Sequence, residues 1–297
     1  MRTGTVESYR ERILRVLIHI QNNLDEELSL DELARVACLS HFHFHRVFRG
    51  LIGETVKDHV RRLRLERAAS RLKQGADSIL NIALASGYET HESFTRAFEA
   101  MFEEPPSTYR RSRSYACIHE PPSKVHFAPD GEFAFEISTE RRTKVEVQVK
   151  RLEKMRVAFV RHIGPYNQVG QTWSKLMSWA GAKGLMGPQT TTMGFSYDDP
   201  EVTPPERLRY DAAMSVPDSV VAEGEVGIQE TAPGEYAVTT HVGPYEKLNE
   251  TYTRLCGEWL PHSGRELRDG AALEFYRNSP FNTPPEQLVT EIWMPLA

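Results

Sequence analysis

Residues 40–51 read SHFHFHRVFRGL, and the fold turns on the two opposed faces of this stretch. At helical spacing Phe44, Val47, Phe48 and Leu51 fall at i, i+3, i+4 and i+7 and make one apolar stripe. His41, Phe42, His45 and Arg46 line the other side, where an ordinary surface helix carries Glu and Lys. Two imidazoles, a guanidinium and an exposed ring are groups that reach base edges and phosphates. Upstream, Leu30 to Ala37 is expected to form a short helix opened by a capping box, Ser29 with Glu32 three residues on, and Cys38-Leu39-Ser40 is a tight turn. Helix, short turn and second helix make a helix-turn-helix, whose second helix lies in the major groove of DNA.

The pattern recurs. From Ser78, SILNIALASGYETHESFTRAFEAMF predicts a helix to Ala85, a turn at Gly87 and a second helix from Thr90. Phe94, Ala97, Phe98, Met101 and Phe102 form its apolar face, with His91, Thr95 and Arg96 opposite. Ser40 and Thr90 are the expected N-caps of the two recognition helices, 50 residues apart. Between them Glu54 to Leu72 can form one long helix, with Val56, Val60, Leu63, Leu65, Ala68, Ala69 and Leu72 as its apolar positions. Such a spacer would direct the two recognition helices into major-groove segments one turn, about 34 Å, apart.

Residues 8 to 113 resemble the AraC/XylS transcriptional regulators through DELARVACLSHFHFHRVFR, SILNIALASGYETHESFTRAFEAMF and the closing PPSTYRR. One departure is Glu103-Glu104-Pro105 after the last helix, where the family commonly has a Gly-containing turn, so this C-cap is unusual. The resemblance implies regulation of transcription on double-stranded DNA, with RNA polymerase as a further partner. By position it implies DNA contacts from His41, Phe42, His45 and Arg46 in the first helix, and from Thr90, His91, Thr95 and Arg96 in the second.

A net charge of −5 is wrong for a DNA binder until the chain is divided. Residues 1 to 118 hold 18 basic and 16 acidic side chains, net +2, whereas 119 to 297 hold 18 and 25, net −7. Arg46 to Lys73 alone carries nine basic residues against Glu54, Asp58 and Glu66, a local +6. Those charges, Arg61 and Arg64 among them, are expected to touch phosphates, which position a protein on DNA without specifying sequence. Taken alone they are equally a solvated helix face laced with ion pairs.

The length of 297 residues is comfortable for two domains. No apolar run approaches the roughly 20 residues that a membrane span needs, and MRTGTVESYRER has no signal-peptide core. Three cysteines, Cys38, Cys117 and Cys256, give neither a disulfide framework nor a metal knuckle, so the cytoplasm is the expected location. His41 and His45 could share one ion at i, i+4, but no Cys or carboxylate completes a ligand set, and no metal or cofactor is expected. No nucleophile elbow, P-loop or dinucleotide fingerprint occurs. Val6 to Asn22 reads as an opening helix with Ile13, Val16, Leu17 and Ile20 inward, expected against the first helix-turn-helix. Residues 114 to 143 mix Pro pairs with short β-like runs and read as a linker or a tethered arm.

The second half contains a repeat. RHIGPYNQVGQTWSKLMSWA from Arg161 matches THVGPYEKLNETYTRLCGEWL from Thr240, so Gly164-Pro165-Tyr166 returns 79 residues later as Gly243-Pro244-Tyr245. MGFSYDDPEVTPPERLRYDAAMSVP from Met193 matches LEFYRNSPFNTPPEQLVTEIWMPL from Leu273 at an offset of 80. Each copy, about 144–217 and 224–297, runs through strands, the Gly-Pro-Tyr turn, a helix and two more strands. His162 and His241, ahead of the two turns, suggest one repeated structural hydrogen bond. One helix on a few strands exposes an apolar face. Two copies are therefore expected to pair into one antiparallel sheet with both helices on one side and a groove at the pseudo-twofold axis. The fold class is a double helix-turn-helix, 1–113, then a linker, 114–143, then an α+β domain of two strand-helix-strand-strand repeats, 144–297.

Residues 144 to 297 resemble the gyrase-inhibitor-like effector-binding domain through the paired HxGPY and TPPE segments. The resemblance implies a multidrug-type response, in which one buried acid among aromatics holds an amphipathic, often cationic, small molecule. By motif position the acid is Glu274 in ALEFY, and the first repeat has Gly194 there, so the pocket would be asymmetric. A buried carboxylate either protonates or waits for a cation. Tyr276 shares its strand face two residues on, and Tyr166, Trp173 and Tyr245 near the helix starts are further wall candidates, with core packing as the alternative for each ring. Two function classes stay open: a DNA-binding regulator that senses a ligand, and a small-molecule hydrolase or drug-sequestering protein using the same groove, with Glu274 as general base in the hydrolase.

Overall fold

The helical periods of the first half are realised as α1 (Gly4–Asn22), α2 (Leu30–Ala37), α3 (His41–Ile52), α4 (Val56–Gln74), α5 (Ile79–Ala85), α6 (His91–Phe102) and a short α7 (Pro106–Arg111) that periodicity does not show. This computed structural model describes residues 4–75, 77–112, 120–129, 145–201 and 203–297, leaving aside the side chains of 4–8, 41 and 42. The chain divides into two units, Glu7–Glu140 and Arg141–Ala297. Among the described residues no helix is long and apolar enough to cross a membrane.

In the first unit the caps follow the sequence closely. Ser29 Oγ accepts from the Glu32 amide at 3.2 Å, and Thr90 Oγ1 accepts from the Ser93 amide at 3.1 Å. Ser40 precedes α3 as foreseen, but its side chain makes no capping bond. Cys38 takes a left-handed φ of +52° to close α2, and Glu103 takes +58° to close α6 in the place where a glycine was expected. The inward stripes bury Ile13, Val16 and Leu17 of α1, Phe44, Val47 and Phe48 of α3, and Phe94, Phe98 and Phe102 of α6. His19 of α1 reaches Glu32 of α2 at 2.9 Å, tying the opening helix to the first helix-turn-helix.

The basic face of α4 departs from expectation. Arg64, assigned above to phosphates, donates to the carbonyls of Leu24 at 2.8 Å and Glu26 at 2.7 Å. Its guanidinium also lies where a Cβ on Gly87 would meet it at 2.8 Å, so it joins the α1–α2 turn to the α5–α6 turn. Arg67 donates to Asp25 and to the Ala85 carbonyl, Arg71 pairs with Asp77, and Lys73 binds the carbonyls of Tyr109 and Ser112. A guanidinium that satisfies carbonyls at helix ends is structural, whatever its charge. Arg61 is different: its side chain is 62% exposed, with a single ion pair to Asp58.

Arg62 holds a part-buried network. It donates to Glu54 at 2.6 Å and to Glu66 at 2.8 Å, while Glu54 also accepts from His59, which is fully buried against Phe48. Glu66 in turn accepts from the Phe127 amide at 2.6 Å and contacts His126, and Gln21 donates to the His126 carbonyl. Residues 120–129 of the expected linker are thus strapped onto the helices, with Val125 fully buried; the rest of 114–143 lies outside the described residues. Burial works to raise the Glu54 carboxyl, but hydrogen bonds from His59 and Arg62 outweigh it and hold it down at about 2, against an ordinary 4.5. A depressed carboxylate contributes stability that is complete above its unfolded value and lost as pH falls through its folded one. The first unit should therefore lose up to about 3 kcal/mol between pH 4.5 and 2, and Glu54→Gln should flatten that fall; urea unfolding across this window measures both.

The second unit is one antiparallel sheet in the order β1-β6-β8-β7-β3-β4-β2-β5. The first repeat supplies β1 (Gln148–Leu152), β2 (Arg156–Ile163), α8 (Gly170–Ala182), β3 (Thr192–Ser196) and β4 (Arg209–Ser215). The second supplies β5 (Gly227–Glu230), β6 (Gly234–Val242), α9 (Leu248–Arg254), a π-helical turn (Leu255–Trp259), α10 (Leu260–Ser263), β7 (Ala272–Tyr276) and β8 (Val289–Pro295). The repeats exchange their outer strands, β1 pairing with β6 and β5 with β2. Residues 153–155 join β1 to β2, which stand six strand spacings apart in the sheet order. In a flat sheet that separation is about 29 Å, whereas three residues span at most about 15 Å. The sheet must curl until its two ends meet. Hydrogen bonds between the two short connections pin that seam, Thr231 N to the Met155 carbonyl at 2.8 Å and Met155 N to Thr231 Oγ1 at 2.9 Å.

The face without helices is packed with Leu152, Val157, Met193, Phe195, Tyr236, Leu273, Phe275 and Trp293. On the other face Leu176 and Ala180 of α8 lie against Val160, Ala212 and Met214. Pro165 and Pro244 do not open the long helices; each precedes a single 3-10 turn, and the α-helix starts after it. The repeat offset of 79 still holds at Leu176 and Leu255 but is 80 at Trp179 and Trp259. The one extra residue of the second copy falls inside the π-helical turn, which is how a helix absorbs an insertion without shifting both ends.

Candidate functional site

The pseudo-twofold axis passes between the two central strands, where Gly194 is paired with Glu274. Its neighbours confirm the symmetry, since Met193↔Phe275 and Phe195↔Leu273 exchange under the 80-residue offset. In the first repeat the small residue makes room for a large one: a Cβ on Gly194 would stand 2.3 Å from the Tyr210 hydroxyl. The second repeat reverses the sizes, with Glu274 at the position of Gly194 and Thr290 at that of Tyr210.

Glu274 is 6% exposed on the helix-bearing face. Tyr252 of α9 donates to its Oε1 at 2.9 Å, Tyr276 donates to its Oε2 at 2.8 Å, and the Tyr210 hydroxyl lies 2.6 Å from that of Tyr276. Trp173 and Tyr245 stand edge-on to the Tyr276 ring, with centroids 5.6 and 5.5 Å away, and all three rings are half-buried. The carboxylate thus lies at the foot of an aromatic wall. Burial first, and the neighbouring Glu274 charge second, push the Tyr210 and Tyr276 hydroxyls well above the usual phenol range and raise Tyr245 as well. At neutral pH they remain neutral donors, the form that stabilises a carboxylate.

Glu274, Tyr276, Trp173 and Tyr245 come together as foreseen. Tyr166 does not join them: its hydroxyl is 2.9 Å from the Asp198 carbonyl and 3.1 Å from that of Arg209, and its ring packs on Tyr210 at 6.0 Å, a step removed from the acid. A hydroxyl near the strand ends finds carbonyls before it finds a ligand. Sequence reasoning misses Tyr252 and Tyr210, although Tyr252 repeats Trp173 at the 79-residue offset and can be read from it. His162 and His241 do form one repeated bond, each with Nε2 3.1 Å from a Pro carbonyl and Nδ1 near the Thr172 or Thr251 hydroxyl. Nε2 therefore carries the proton in both.

The two recognition helices differ. On α6, Thr90, His91 and Arg96 are exposed and Thr95 is half-buried, opposite the Phe94–Phe98–Phe102 face. Thr90 also spends its oxygen on the cap. On α3, His45 and Arg46 share the side opposite the buried Phe44, Val47 and Phe48, and each has a partner within the chain. The side chains of His41 and Phe42 lie outside the described residues.

Comparison with known proteins agrees with this division. Residues 33–112 match a helix-turn-helix domain model, and residues 145–297 match the GyrI-like small molecule binding domain. The chain is similar to the transcriptional regulator Rob of Salmonella typhimurium, 35% identical over 119 residues, which are 40% of this chain and 39% of Rob. The probable transcriptional regulator YgiV of Escherichia coli K12 is 29% identical over 156 residues, 52% of this chain and 97% of YgiV. The solved C-terminal domain of EcmrR shares 19% identity and a TM-score of 0.43 over 52% of this chain and 98% of that domain. The matched stretch is well under half of Rob's length, whereas the domain model runs through the second half of the present chain without a break. The chain belongs to the GyrI-like small molecule binding domain family, and carries an AraC-type helix-turn-helix ahead of that domain.

Proposed function

We propose that this protein is a sequence-specific transcription regulator whose second unit binds a small amphipathic cation at Glu274 and thereby shifts the population of DNA-competent conformers. The observation that carries the sensing half is a carboxylate at 6% exposure beneath half-exposed aromatic rings. A cation over such rings gains about 0.5 to 2 kcal/mol per ring. The hydrolase alternative is less favoured, because two tyrosine hydroxyls donating to Glu274 make it a poorer general base.

For DNA, the open face of α6 supports direct reading by His91, Thr95 and Arg96, and α3 would offer His45 and Arg46 to a second groove segment. The two helices together would read a bipartite site with blocks about one helical turn apart. Selection from a random duplex pool with the full-length protein should enrich such a site; no enrichment, with or without a cationic ligand, would remove the DNA half of this reading. On the enriched site Arg96→Ala should cost about 1 to 3 kcal/mol and relax preference at one position. Arg61→Ala should instead lower affinity for all sequences and reduce the salt slope by about one, as filter binding at several salt concentrations would measure. Arg64→Ala, a structural change, should leave that slope alone. Recruitment of RNA polymerase is part of the same reading, by the resemblance of the first unit.

A further inference from the structure

The geometry points to a preference within the proposed cation class: we infer that the Glu274 site selects protonated amines, which carry N–H donors, over quaternary ammonium ions, and that Thr290 is the residue that discriminates. This rests on the effector reading above. Aromatic walls alone would favour the opposite choice, since a quaternary ammonium is the usual guest of an aromatic cage. The floor of the site decides against it. Both Glu274 oxygens are held by O–H donors, Tyr252 at 2.9 Å and Tyr276 at 2.8 Å. A guest that displaces Tyr252 must itself donate to Oε1 and accept nothing in return. A trimethylammonium offers no N–H and leaves a buried phenol without its acceptor.

Thr290 supplies the second half of the argument. It is opposite Tyr276 on β7 and opposite His241 on β6, so its side chain shares their face of the sheet. It is fully buried, and its hydroxyl has no hydrogen-bond partner among the described residues. An orphaned buried hydroxyl in a native structure calls for a reason. The equivalent residue of the first repeat, Tyr210, has its hydroxyl against Gly194, the counterpart of Glu274, so by symmetry as well as by register this position looks onto the acid. Thr is shorter than that Tyr and keeps one acceptor on this face of the sheet. An ammonium with several N–H groups can donate to Glu274 and to Thr290 Oγ1 together; a quaternary ion can donate to neither.

The test is calorimetric titration of the full-length protein with 2-phenylethylammonium and with its N,N,N-trimethyl counterpart, which share a ring, a linker and a charge. The primary ammonium should bind about 10- to 100-fold more tightly. Thr290→Val, which removes the hydroxyl and keeps the shape, should weaken the primary ammonium selectively and lower the ratio, leaving the part that donation to Glu274 supplies. Because the hydroxyl is unpartnered, this variant should melt no lower than the parent. Tighter or equal binding of the trimethyl compound to the parent protein overturns the inference without any variant, and leaves the effector reading standing. An unchanged ratio in Thr290→Val overturns the role of Thr290. Binding of neither compound overturns the cation reading itself, and the preference with it.

Discussion

Glu274→Gln lowers affinity for a cationic effector by about thirtyfold or more, and leaves the affinity for DNA of the ligand-free protein unchanged. The size follows from where the charge is. At 6% exposure, removing one partner of a desolvated ion pair costs about 2 to 5 kcal/mol, because the cation left behind has lost its water and gained nothing. The amide keeps the shape and one acceptor oxygen, and either tyrosine hydroxyl can turn to accept from its NH₂, so the fold survives. Neutral ligands of the same shape should lose little. A calorimetric series across charged and neutral analogues reads all three statements, and a uniform loss for both kinds would mean that the substitution had merely disturbed the packing.

Arg62→Ala is the second large effect, and it falls on stability. Arg62 bridges Glu54 and Glu66 at 2.6 and 2.8 Å, and all three side chains are mostly buried. Removing the cation leaves two mostly buried carboxylates without the guanidinium they share, which costs about 3 to 5 kcal/mol. The first unit should melt roughly 10 to 20 °C lower. Its neighbour Arg61 provides the control: with a side chain 62% exposed and one surface ion pair, Arg61→Ala should move stability by less than about 1 kcal/mol. Circular dichroism melts of the two variants should therefore separate adjacent residues that look alike in sequence.

That contrast shows what the sequence reveals and where it is silent. The helix-turn-helix units were legible because their apolar stripes and caps are local: α2 begins and ends where the capping box and the Cys38 turn place it. The second unit was legible because it is written twice, and the step in offset from 79 to 80 even marks the π-helical turn. Glu274 was legible through the resemblance of residues 144–297, by its motif position in ALEFY. The fate of the α4 cations was not legible, since Arg64 satisfies carbonyls some 40 residues away and no local pattern announces that. Tyr166 and Tyr252 illustrate the same limit. Tyr166 stands near a helix start yet serves strand-end carbonyls, whereas Tyr252, the counterpart of Trp173 in the repeat, serves the acid.

The exchange of outer strands also sets the order in which this chain can fold. β1 finds its partner only when Val238 has been made, 90 residues after Gln148. As the polypeptide leaves the ribosome, the first copy stands complete in sequence but with β1 unpaired and the far side of β2 open, edges that invite association with other chains. The first unit, built from neighbouring helices, can form during synthesis; the second must await release of nearly the whole chain, and contacts so distant in sequence form slowly. Pulse proteolysis of stalled nascent chains should accordingly find 7–140 protected early and 141–297 protected all at once, and stepwise protection of the two copies would show that either folds alone.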